Sequence, residues 1–165
     1  MNGEPKAHLR VSFHLSPSRR SLKFLQYFKL SPILVSEHYT LYLRLENLRV
    51  TPLKDVRGGI RLWIKIGGRS TPFKHVLEFG DLSAGDYRTC SWGPHLMRDQ
   101  GSSDIDILWV RAGKESLTME YQSHPSRTFL YTYDAEPWSA IVARLVGVIT
   151  FLTLLLTILF RVFHM

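Results

Sequence analysis

A chain of 165 residues with one cysteine and a formal charge of +7 has room for a single domain of ordinary size plus a short tail. The lone Cys90 excludes an internal disulfide, which fits a reducing compartment and equally fits many prokaryotic proteins on either side of a membrane. The charge is uneven: residues 1–74 hold 14 Lys or Arg against 4 Asp or Glu, and residues 75–137 hold 5 against 10. Either the two halves neighbour and neutralise one another, or the basic half lies against anionic lipid headgroups. No nucleic-acid motif accompanies the charge, so a nucleic-acid partner is not expected.

In Leu9 to Leu15 the odd positions are apolar and the even ones polar, the period of a half-buried strand. Residues 19–35 read as either a short basic amphipathic helix or a strand. If helical, Arg19, Arg20, Lys23 and Lys29 are candidate lipid-facing residues, and Pro32 interrupts the element. Lys23, Lys29 and Pro32 also break any apolar core that a secretory signal would need.

Alternation returns over Tyr39 to Glu46 and Ile60 to Ile66, the two best strands, separated by a turn region with Pro52 and Gly58-Gly59. Gly67-Gly68 predicts a second turn, followed by a strand over Phe73–Phe79 that Gly80 closes. A loop over 81–86 leads to a short strand, Tyr87–Trp92, and residues 93–103 read as a long excursion. Ile105–Val110 and Leu117–Tyr121 flank a glycine-containing loop and predict a hairpin; Thr128–Tyr133 is the last strand. Seven or eight short strands without an intervening long helix predict a mainly β head, an antiparallel sandwich over residues 1–137.

Leu41 to Asn47, the turn through Thr51-Pro52, the strand opening at Val56, and Phe79-Gly80-Asp81-Leu82-Ser83-Ala84-Gly85-Asp86 resemble the CARDB-type immunoglobulin-like sandwiches of bacteria and archaea. The resemblance covers about residues 39–92. It departs where Leu48 and Arg49 replace the usual glycine after the Asn. It implies a binding or spacer module rather than an enzyme, and it supplies no site residues.

Residues 138–165 predict one transmembrane helix with a short tail. Leu145 to Phe160 carries no charge and three threonines, whose hydroxyls are expected to bond back to the preceding turn. Those sixteen residues span about 24 Å, short of the roughly 30 Å hydrocarbon core, so the span must start near Trp138. Arg144 then has to snorkel toward the headgroups. The anchor residues are Trp138, Arg144, Leu145, Phe151, Leu155, Phe160 and Arg161, with Trp138 and Arg161 at the two interfaces. Without an export signal, the layout is that of a tail-anchored protein with its head in the cytoplasm; an extracytoplasmic head is the alternative, since Asp134 and Glu136 precede the helix and Arg161 follows it.

Catalytic, cofactor and metal sites are not expected. His8 and His14 share the polar side of the first strand, where solvated histidines are expected rather than a two-ligand metal site. Asp104 and Asp106 share one strand face and resemble the acidic pair of some metal-dependent transferases, but with no nucleotide-binding fold around them they read as strand-surface charge. The leading expectation is a non-catalytic, membrane-anchored interaction module with the bilayer and a protein as partners. The rival is an accessory subunit or enzyme whose site gathers Cys90, His95 and Asp99 in the 90–103 region.

Overall fold

The computed structural model describes residues 7–19, 33–121 and 124–163. In chain order the elements are β1 (Leu9–Pro17), β2 (Ile33–Leu34), β3 (His38–Asn47), β4 (Leu53–Ile66), β5 (Arg69–Leu82), β6 (Tyr87–Leu96), β7 (Gly101–Ala112), β8 (Glu115–Ser116), β9 (Met119–Tyr121), β10 (His124–Ser126), β11 (Phe129–Glu136) and the helix α1 (Trp138–Phe163). One sheet has the order β10-β9-β1-β3-β6. The other has the order β2-β11-β7-β4-β5, with β8 paired to β7.

The alternation expected for the first strands is what builds the core. Leu9, Val11 and Leu15 of β1 and Leu41, Leu43 and Leu45 of β3 are buried, while Arg10, Ser12, Arg44 and other polar positions between them face outward. They meet Val56, Ile60, Leu62 and Ile64 of β4 and Ile105, Ile107 and Val110 of β7 in one apolar cluster shared by both sheets. Tyr39 is fully buried in the first sheet and its hydroxyl accepts the N–H of Leu34 in the second at 2.8 Å.

The sheets are mixed, not antiparallel as expected. Most neighbours are antiparallel, but β1 runs parallel to β9 and β2 parallel to β11. The reason lies in the crossings between layers. The expected hairpin after β7 is only two residue pairs long, Arg111↔Ser116 and Ala112↔Glu115. Leu117 is then buried, and the chain enters the opposite sheet, where β9 arrives in the direction of β1.

Two further boundaries differ from expectation. β6 continues through Gly93-Pro94 to Leu96 and β7 begins at Gly101, so the long excursion over 93–103 shrinks to a loop over 97–100. Pro94 is tolerated because β6 is an edge strand, where a missing N–H breaks no ladder. β5 runs well past the predicted Phe73–Phe79, starting at Arg69, because Gly67 and Gly68 adopt φ of 60° and 75° and close a tight hairpin with Ile66 opposite Arg69.

The uneven charge closes in part across the fold. Arg61, Arg49, Arg10 and Arg57 from the basic half pair with Asp106, Glu115, Glu120 and Glu78 from the acidic half.

Candidate membrane-proximal site

α1 leaves the head at the end of β11, with only Pro137 between them. Its threonines behave as their sequence context requires: the hydroxyls of Thr150, Thr153 and Thr157 donate to the carbonyls of Val146, Ile149 and Thr153, each at 2.8 Å. With those donors satisfied internally, the whole surface of the rod is compatible with hydrocarbon. Trp138–Arg161 is long and apolar enough to cross a membrane, and none of its most apolar window is buried against the head. Leu145, Phe151, Leu155 and Phe160 are all exposed, Trp138 opens the helix and Arg161 lies in its last turn.

Arg144 reaches back toward the head. Its guanidinium meets the Glu136 carboxylate at 2.7 Å, on the headward side of the helix start. The long stem thus carries the charge away from the apolar run, in the direction snorkelling requires. Glu136 is held in turn by the chain around it: Val35 N–H donates to its carbonyl at 2.9 Å, and its other carboxylate oxygen is buried without a hydrogen-bond partner among the described residues.

Several turns converge on this end of the sandwich. Gly101 pairs with Ala135, and a Cβ added at Gly101 would lie 2.6 Å from the Lys65 ammonium, which places Lys65 beside the end of β11. The Gly68 N–H donates to Asp99 at 2.8 Å, fastening the β4–β5 turn to the loop that carries Arg98. Met97 exchanges backbone hydrogen bonds with Ser36 and Glu37, and Arg19 pairs with Glu37 at 3.0 Å. Of the candidate lipid-facing residues, Arg19 is therefore at this end; Arg20, Lys23 and Lys29 lie outside the described residues.

Lys65, Arg69 and Arg98 were not singled out by sequence. The only signal was a Gly-Gly turn flanked by Lys65 and Arg69. That the turn reaches the helix end of the head depends on β4, β7 and β11 being neighbours, which no local pattern encodes.

The residues of the rival site do not converge. Cys90 and His95 oppose Leu43 and Tyr39, four residues apart on β3 and so about 13 Å along the strand. Trp92 stands between them, its ring 4.4 Å from that of His95 and 5.1 Å from that of His75 on β5. The Cys90 thiol donates to the Glu78 carbonyl, and burial pushes its pKa up, away from the reactive thiolate. Burial, with the His75 charge adding to it, lowers the pKa of His95, whose Nε2 has no hydrogen-bond partner among the described residues. Asp99 is engaged by the Gly68 turn.

The other sequence candidates are likewise occupied. Asp106 accepts from the Arg61 guanidinium at 2.5 Å and from the Trp63 indole at 2.9 Å; Asp104 accepts from Thr132 at 2.8 Å. His8 accepts the Thr118 N–H through Nδ1 at 3.3 Å, and His14 stacks on Tyr42. Among the described residues no group of three or more His, Cys, Asp or Glu is arranged to hold a metal ion.

No family model matches the sequence, and no curated protein matches it. Solved structures do. An alkylpurine DNA glycosylase of Pseudomonas fluorescens, bound to DNA containing an abasic site analogue, matches at 16% identity with a TM-score of 0.42, over 79% of this chain and 31% of that one. A β-glucosidase from Listeria innocua in complex with gluconolactone matches at 12% identity with a TM-score of 0.36, over 76% of this chain and 16% of that one. The chain thus spans less than a third of either protein, and likeness at this level carries no argument about function.

Proposed function

We propose that this chain is a single-pass membrane protein whose β head, an immunoglobulin-like sandwich of the CARDB type, serves as a non-catalytic interaction module held at the bilayer surface by α1. The observation that carries this reading is the apolar surface of Trp138–Arg161, whose most apolar stretch is nowhere buried and which a soluble chain would have to cover. The internal hydrogen bonds of the three threonines and the headward reach of Arg144 support it. The head faces the cytoplasm in this proposal, because Arg144, Lys65, Arg69 and Arg98 all lie on its side of the span and positive charge favours that side. The partner is a protein that the head recognises. The rival enzyme reading draws no support from the separated positions of Cys90, His95 and Asp99.

Two measurements test the proposal. Alkaline carbonate should leave the full chain in the membrane pellet; release into the supernatant would refute the anchor. Crosslinking from intact membranes should recover one partner with the wild-type chain and lose it when the head is replaced by an unrelated domain; recovery with α1 alone would refute the interaction role of the head.

A further inference from the structure

We infer that Lys65, Arg69 and Arg98 form a docking surface for the anionic phospholipid headgroups of the bilayer that α1 spans. The inference rests on α1 spanning a bilayer, and it adds a surface of the head itself to that reading.

The placement follows from connectivity. With one residue between β11 and α1, the end of the head that carries Glu136 has to sit at headgroup level once α1 is inserted. Strand pairing fixes which side chains share that end. β4 runs toward it and turns back at Gly67-Gly68, and β7 starts from it at Gly101, opposite Ala135. Lys65 is set beside Gly101 and is half-buried; Arg69 and Arg98 are exposed.

The charge balance at this end favours an anionic surface. Glu37 and Glu136 are matched by Arg19 and Arg144. Of the other carboxylates there, Asp99 accepts the Gly68 N–H and Asp134 accepts the Ser102 hydroxyl at 2.5 Å. Lys65, Arg69 and Arg98 have no carboxylate partner among the described residues, in contrast to Arg10, Arg49, Arg57 and Arg61, which are paired elsewhere on the head. Those neutral donors leave Asp99 and Asp134 charged, so three cations against two carboxylates leave this end positive by one, with Arg69 and Arg98 exposed. Each net positive charge near an anionic surface multiplies the bound population about fivefold, so this end favours the docked head by roughly fivefold.

Hydrogen exchange on the full chain in lipid nanodiscs tests this directly. Amides of residues 65–70 and 97–101 should exchange more slowly in discs of phosphatidylcholine mixed with phosphatidylserine than in phosphatidylcholine alone, by roughly fivefold, and high salt should erase the difference. Combined Lys65→Glu, Arg69→Glu and Arg98→Glu should also erase it, with β3 and β4 amides as protected as in the wild type. Equal exchange in both discs, with the chain inserted, would overturn the docking surface and leave the anchor standing. A chain that does not enter either disc would overturn both. The wild-type comparison decides the matter even if the triple variant fails to fold.

Discussion

The guanidinium of Arg144 and the carboxylate of Glu136 meet at 2.7 Å across eight residues of chain, joining the last strand of the head to the second turn of the helix. The pair sets how far α1 can sink. Arg144→Leu removes the one charge between Trp138 and Phe160, and the apolar rod should settle deeper by about one turn, roughly 5 Å. An environment-sensitive probe on Ser139→Cys, with Cys90→Ser to keep it unique, should shift to the emission of an apolar surrounding. Unchanged emission would show that Arg144 does not set the depth.

At the opposite end of the head, the Asn47 side chain ties two loops together. Its amide nitrogen donates to the carbonyls of Thr51, Leu82 and Ser83 at 2.9, 3.3 and 3.1 Å, its oxygen accepts from Arg49 N–H at 3.0 Å, and the residue is fully buried. Asn47→Ala leaves those groups without partners, so a loss of about 2–4 kcal/mol is expected in denaturant unfolding of the detergent-solubilised chain. Asn47→Asp should be no better, because it has no N–H to donate. A loss below about 1 kcal/mol for both would refute this role.

Gly59 lies under the Trp109 ring, where an added Cβ would fall 2.4 Å from the indole. Gly59→Ala should cost about 1–3 kcal/mol by forcing the ring away. The penalty should shrink once Trp109→Ala has removed the ring, giving a coupled rather than additive double-mutant cycle. Strict additivity would mean that the contact is absent.

Burial and the His75 charge hold the His95 pKa below its ordinary 6.5. The unfolded chain therefore takes up the proton first as the pH falls through about 6.5, and stability declines below that value; above it His95 is neutral in both states. His95→Phe, which keeps a ring against Trp92, should flatten part of this acid-side slope. His8, whose pKa is also lowered by burial, keeps the remainder. Unfolding midpoints on the two sides of that pH measure the effect, and an identical slope in His95→Phe would remove His95 as its source.

Strands with strict alternation were legible in the sequence. Leu9 to Leu15, Tyr39 to Glu46 and Ile60 to Ile66 all form strands with their apolar positions buried or half-buried, because a period of two needs no distant information. The short strands β2, β8 and β10 were not legible, and β9, which falls within the strand expected over Leu117–Tyr121, pairs with β1 rather than with β7. Two or three residues are too few to carry a period, and the parallel pairings Ala135↔Ile33 and Leu9↔Met119 join segments that no local pattern links. The long reach of β5 and β7 was missed for a related reason: polar residues such as Ser70 and Asp104 occupy their outer faces.

The sequence alone determined the uncharged rod from Leu145 to Phe160 and the β character of the head, since hydrophobic runs and periods act locally. Tertiary structure decided which charges remain without a partner. Arg10, Arg49 and Arg61 find carboxylates only because distant strands become neighbours, and Lys65, Arg69 and Arg98 reach the helix end only because β4 turns beside β7 and β11. Charge works through space over a few ångströms, and strand pairing brings together residues that the chain order keeps far apart.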